Sequence, residues 1–384
     1  MTWMKSRRAT ICTHAIALAL LGACSDASRG AGEPHPNESN SRSVAASTGH
    51  SPTWDEVLSF RTGLHIAHLQ VTEEFVSYVV AHDSPSRPDE VVAFDRSADK
   101  RRKVYESAYP SGKIDWAELH GDHLVFADED RIPSVGDEGT RWRLIALNLI
   151  TGETQLLARS PGQRRSWPAV PQANDGGFAW AELERAADPR AGFRVRIWKP
   201  GWPEPRDILR RVSGIASASP HFYRGGVIYS AITSENVNGL YGIDVFAADA
   251  SGARQQLTHD GLVIEFDLQD GLLAWAARPS EAQAAPGTAD PFSVNFQEVG
   301  AQQNVGTVAA GFNAGNVTAG RDFIAWLSAG GRAKVTSVHG GAPAVLPYGR
   351  VWIPGRLDAD GSTLTFATDE QQGIVVHIVE INPP

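Results

Sequence analysis

Seven short stretches of this chain share one order of polar and apolar positions: "EEFVSYVVA", "GDHLVFADE", "DGGFAWAEL", "RGGVIYSAI", "DGLLAWAAR", "GRDFIAWLS" and "DGSTLTFAT". In each, a polar or glycine turn leads into an apolar run that carries an aromatic residue. Those aromatics are Tyr78, Phe126, Trp180, Tyr229, Trp275, Trp326 and Phe366, spaced 48, 54, 49, 46, 51 and 40 residues apart. After a loop comes an alternating run, as in "RWRLIALNL", "LYGIDVFAAD" and "IVVHIVEI", whose period of two predicts a strand with one buried face. A Thr-Gly or Ser-Gly turn and a short strand such as "ETQLLA" or "ARQQLT" follow. A leading strand, "IDWAELH" or "VIEFDLQ", completes four strands per unit. Long helical periodicity is missing throughout.

Four short antiparallel strands repeated at this period describe the blades of a β-propeller. The expected fold is therefore all-β over residues 53–384. Its turn order resembles TolB-type and related propellers, whereas no unit carries the Gly-His and Trp-Asp pair of WD-type repeats. The last unit stops after its third strand. The segment "WDEVLSFRTG" (54–63) precedes the first full unit and resembles the "ETQLLARSPG" that ends the second. It is expected to supply the missing strand and close the ring, which hides a sheet edge. Seven blades follow, or six if the unit around Trp326 is irregular.

The head of the chain has a different character. Lys5, Arg7 and Arg8 precede an apolar run from Ile11 to Leu21, the form of an export signal over residues 1–23. The run is shorter than the roughly 20 apolar residues a spanning helix needs. Leu21-Gly22-Ala23-Cys24 resembles the lipobox of bacterial lipoproteins. That resemblance implies cleavage before Cys24, lipidation of its thiol and a membrane contact through the lipid. Ser25 after the cysteine implies the outer membrane, facing the periplasm, rather than the inner one. Residues 24–52 are rich in Ser, Gly, Asn and Pro and read as a flexible tether. Cys12 is the only other cysteine and lies inside the signal, so no disulfide or thiolate metal site is expected.

The chain carries a net charge of −9, and loss of the three signal-peptide cations leaves −12. That balance argues against nucleic acid as a partner. Candidate chemistry is sparse. No G-x-S-x-G elbow, H-E-x-x-H helix or glycine-rich phosphate loop occurs. The connection 128–140 contains Asp128, Glu129, Asp130, Asp137 and Glu138, a candidate binding surface on the long-loop face. Calcium accepts such oxygen sets, but the spacing is not that of an EF-hand, so no cofactor is expected.

Leading strands should line the central channel. Counting ten residues back from the marker aromatics gives His68, Trp116, Ser219, Glu265 and Asn316, with Trp167 and Trp352 in similar places. Together they form a candidate aromatic and polar funnel for a small ligand of unknown identity. Most other aromatics are expected to wedge neighbouring blades. The sequence thus predicts a lipid-anchored envelope propeller that binds a protein partner or serves as an assembly platform, without catalysis. Two alternatives remain open: a carbohydrate- or peptide-binding or -processing protein of lyase or hydrolase type using the channel mouth, and a structural envelope protein with no specific ligand.

Overall fold

A computed structural model describes residues 51–62, 65–82, 87–130, 141–160, 169–183, 192–212, 219–235, 241–279, 292–301, 306–311, 315–328, 330–352, 356–370 and 373–382. Cys24, Asp137, Glu138 and Trp167 lie outside these residues. Among the described residues the regular elements are all strands, arranged as seven antiparallel sheets of four. This is a seven-bladed β-propeller. The innermost strands of blades 1 to 7 are Ile66–Val71, Gly112–His120, Gln172–Asn174, His221–Tyr223, Val263–Gln269, Gly315–Ala319 and Asp358–Asp360. The unit around Trp326 is a regular four-stranded blade, which settles the count at seven.

The marker aromatics explain why the blades stack. Each sits on the second strand of its blade, and all seven are at most 3% exposed. The apolar core divides into seven clusters, and each joins two adjacent blades. Phe126 of blade 2 packs with Val79 and Val91 of blade 1. Trp326 of blade 6 packs with Ala274 and Phe296 of blade 5. Tyr78 of blade 1 packs with Val376 and Ile378 of blade 7. A periodic aromatic is therefore the contact that a twisted sheet needs to bury its face on the next one.

Ring closure follows the sequence expectation. The strand Thr53–Thr62 pairs antiparallel with Gly373–Asn382, from Thr53 opposite Asn382 to Thr62 opposite Ile374, with one bulge near Val57. It forms the outer strand of blade 7 and lends Leu58 and Phe60 to the cluster shared with blade 1. Within a blade successive strands reverse direction. The blade-to-blade connections and the second-to-third-strand connections therefore share one face, and inner strands enter the channel from it.

Candidate functional site

The channel wall is built from the inner strands, and its two levels differ. Eight residues before each marker aromatic stand Gln70, Glu118, Gln172, His221, Asp267, Thr318 and Asp358, one polar residue from each blade. Six residues before stand, among others, His120, Asn174, Gln269 and Asp360. Glu118, His120, Gln172, Asp267, Gln269, Asp358 and Asp360 line a single narrow cavity of about 30 Å³, room for a water or two. This level is the waist.

The waist side chains tie blades together. The amide of Leu119 donates to Gln70 Oε1 at 3.3 Å, joining blades 1 and 2. Gln172 Nε2 donates to Glu118 Oε1 at 3.1 Å, and the Ala173 amide also donates to Glu118. Asn174 Nδ2 donates to the Phe222 carbonyl at 2.9 Å, joining blades 3 and 4. His221 Nε2 donates to Asp267 Oδ1 at 2.9 Å. The other Asp267 oxygen accepts from Thr318 Oγ1 and the Ala319 amide, both at 2.9 Å. Blades 6 and 7 are joined by the Arg321 amide and the Gly361 carbonyl at 2.7 Å. At the seam the Val71 amide donates to Asp358 Oδ2 at 2.7 Å. Every blade boundary is thus crossed by a polar link as well as an apolar cluster.

The electrostatics of the waist follow from crowding acids in a narrow lumen. Enclosure, helped by the charge of Asp267, pushes the Glu118 carboxyl up to about 8. Enclosure and the charge of Glu118 hold Asp358 well above the usual carboxylate range. Asp267 goes the other way. Enclosure opposes its ionisation, but the His221 bond and charge and the amides of Ala319 and Leu268 outweigh that and keep it below the ordinary range. Glu118 and Asp358 are thus biased toward the protonated form and Asp267 toward the ionised one.

The mouth lies toward the end at which the strands enter. His68, Trp116, Asn316 and Arg356 stand ten residues before their markers in blades 1, 2, 6 and 7, a contiguous arc of the ring. All four have positive φ, between 49° and 53°. In blades 1, 2 and 6 the register shifts there, between Ala67 and Gln70, Asp115 and Glu118, and Gly315 and Thr318. These bulges turn side chains that a regular strand would direct elsewhere. Arg356 stands over the Trp116 ring, 5.2 Å from guanidinium carbon to centroid, and the His68 ring is 6.0 Å from that indole. His68 Nε2 donates to Asp115 Oδ1 at 2.7 Å. Glu265 accepts the Val317 amide at 2.8 Å, and enclosure raises its pKa.

The remaining candidates fall as follows. Ser219 is half-buried and precedes the inner strand of blade 4. Trp352 is not part of the funnel. Its indole donates to the Ile66 carbonyl at 3.0 Å and packs in the cluster between blades 7 and 1. The residue ten before the marker in blade 7 is Arg356, whereas Trp352 stands fourteen before it and belongs to the connection that precedes the inner strand. The acids expected at the start of a loop end a strand instead, His123–Asp130. Asp128 is fully buried, accepts Tyr105 Oη at 2.8 Å and is bonded to Ser107 and Arg143. Asp130 is paired with Arg141, and Glu129 is buried as well. Among the described residues no group of three or more His, Cys, Asp or Glu is placed to hold a metal ion. The waist ring escaped sequence reasoning, yet a count of eight instead of ten would have found seven polar residues in seven blades.

Comparison with known proteins places this architecture. No family model matches the sequence, and no curated protein matches it either. The β-propeller domain of the Trilobed protease from Pyrococcus furiosus, which has an open velcro topology, aligns with a TM-score of 0.56 at 12% identity over 80% of this chain and 91% of that one. Acylaminoacyl peptidase from Pyrococcus horikoshii aligns at 0.55 with 14% identity, covering 86% of this chain and 54% of its own. The likeness is one of fold. This chain spans about half the length of the acylaminoacyl peptidases it matches. TolB from Acinetobacter baumannii aligns at 0.45 with 9% identity, over 80% of this chain and 65% of that one, too distant to support an argument. In contrast to an open velcro, the present ring is closed on its outer edge by Thr53–Thr62.

Proposed function

We propose that this protein is a non-catalytic platform of the cell envelope, held to the outer membrane by a lipid on Cys24 and binding a protein partner through the face that carries its long connections. The observation that supports this reading most is the engagement of the waist. The waist acids Glu118, Asp267 and Asp358 are bonded to neighbouring blades and line a cavity of about 30 Å³. The space among them holds a water or two, and their bonds run to the scaffold, so we assign their opposed pKa shifts to the scaffold. A rigid ring with variable connections on one face is a common way to present a binding surface. The sequence features at residues 1–52 support the envelope and the lipid anchor.

The test is co-purification from native membranes in mild detergent. The intact protein is compared with a variant in which residues 131–140 become a short Gly-Ser turn, which spares the buried Asp128 and Asp130. A stoichiometric protein partner that is lost with the loop is the expected result, and its absence from both samples overturns the reading. Labelling with a radioactive fatty acid, abolished by Cys24→Ser, tests the anchor separately.

A further inference from the structure

The mouth contains two polar side chains, those of Arg356 and Asn316, with no hydrogen bond to a neighbouring blade among the described residues. Arg356 is exposed and makes no direct ion pair among the described residues, its charge acting only at longer range on Glu118 and Glu265, and the Asn316 side-chain amide makes no hydrogen bond among them. Its backbone is held from below, since the Asn316 and Val317 amides both donate to Glu265. Asp115 fixes His68, which stands beside Trp116. Four non-glycine residues at positive φ in one arc carry a conformational cost, of the kind that persists where surrounding structure enforces it and where side chains must be aimed.

We propose that the arc formed by His68, Trp116, Asn316 and Arg356 is a binding site for an acidic sugar, an oligosaccharide unit bearing a carboxylate. The planar guanidinium of Arg356 offers a two-pronged donor that matches a carboxylate. Arg356 overlies one face of the Trp116 indole, so in this proposal the C–H side of a sugar ring stacks on the other face. Asn316 supplies both a donor and an acceptor for hydroxyls. An extended peptide is a poorer fit. Main-chain recognition needs free strand edges, and the inner-edge amides of Val71, Leu119, Ala173 and Ala319 are already bonded at the waist.

The test is calorimetric titration of the full chain, purified in mild detergent, with three probes: trigalacturonate, neutral galactotriose and triglutamate. Trigalacturonate is expected to bind, with galactotriose and triglutamate at least tenfold weaker. Arg356→Gln and Trp116→Asn, the latter chosen because asparagine tolerates positive φ, should each weaken trigalacturonate at least tenfold. Arg356 is exposed, so its variant keeps the test decisive even if the Trp116 variant folds poorly. No binding of trigalacturonate, equal binding of the neutral sugar or the acidic peptide, or an affinity unchanged by Arg356→Gln overturns the proposal. The variant with the shortened 131–140 loop should bind the sugar as the intact chain does, so this site and the loop-borne protein contact on the same face stand or fall separately.

Discussion

The waist and the mouth are made by the same strands, two residues apart, and they use polar chemistry in opposite ways. At the waist a glutamate, two aspartates and two glutamines line a cavity of about 30 Å³, a histidine and a threonine bond one of those aspartates, and most of these groups bond to the next blade. At the mouth an arginine, an asparagine and a tryptophan occupy strained backbone positions with few bonds of their own. Polar residues in a channel are therefore not a site by virtue of being polar. What separates the two levels is whether each donor and acceptor already has a partner.

The largest expected effect breaks the waist. Asp267→Ala removes the acceptor for His221, Thr318 and the Ala319 amide at once. His221 is only 2% exposed and its Nδ1 has no other hydrogen bond. Leaving enclosed donors unsatisfied costs about 1–3 kcal/mol each, so a loss of about 2–4 kcal/mol is expected after lumen water compensates in part. Urea denaturation at neutral pH measures it. A loss below that of an ordinary surface substitution would show that the waist is not a latch.

A second pair of variants separates the two kinds of carboxylate by pH. Glu118 is raised to about 8, so its contribution is fully present below the ordinary carboxylate range, near 4.5, and is lost as pH rises toward 8. Asp267 is lowered, so its contribution is present above the ordinary range and is lost as pH falls through its folded value. Glu118→Gln should therefore match the parent at pH 4.5 and exceed it in urea midpoint at pH 9. At about 1.4 kcal/mol per pKa unit the gain is large enough to resolve even after screening by lumen water. Asp267→Asn should show the reverse, with its deficit greatest at neutral pH and shrinking toward acid. Parallel pH profiles for the two variants would contradict opposite shifts of the two acids.

The sequence revealed the blades far better than the channel, for a physical reason. A marker aromatic must be large and buried against the preceding blade, so its type and period show in the chain itself, from Tyr78 to Phe366. Closure by residues 54–63 was legible because the last unit lacked a strand. Channel residues obey a weaker rule. The waist accepts glutamine, glutamate, histidine, aspartate or threonine, since any of them can bond a neighbouring amide. The funnel count of ten did reach His68, Trp116 and Asn316, but the bulges that aim them leave no mark in composition. Trp352 looked like a funnel residue because tryptophan is conspicuous, while Arg356 held the position. Asp128 looked like a loop acid because a charged run reads as solvated. Its partners Tyr105, Ser107 and Arg143 stand 15 to 23 residues away in sequence and meet it only in the folded blade.

The smallest expected effect lies at the mouth and has the opposite sign from the first. Arg356 is exposed, holds φ at 53°, stacks over Trp116 and acts on Glu118 and Glu265 only through its charge. A left-handed backbone costs an L-residue roughly 1–2 kcal/mol. Glycine takes that conformation freely, but it gives back part of the gain through the entropy of its unfolded chain. Arg356→Gly should therefore leave folding intact and raise stability by about 0.5 kcal/mol, read as a small upward shift in urea midpoint. The same change should remove trigalacturonate binding. A variant that gains stability while losing a ligand is what a strained binding position produces, whereas a position strained only by the course of the chain would gain stability and lose nothing.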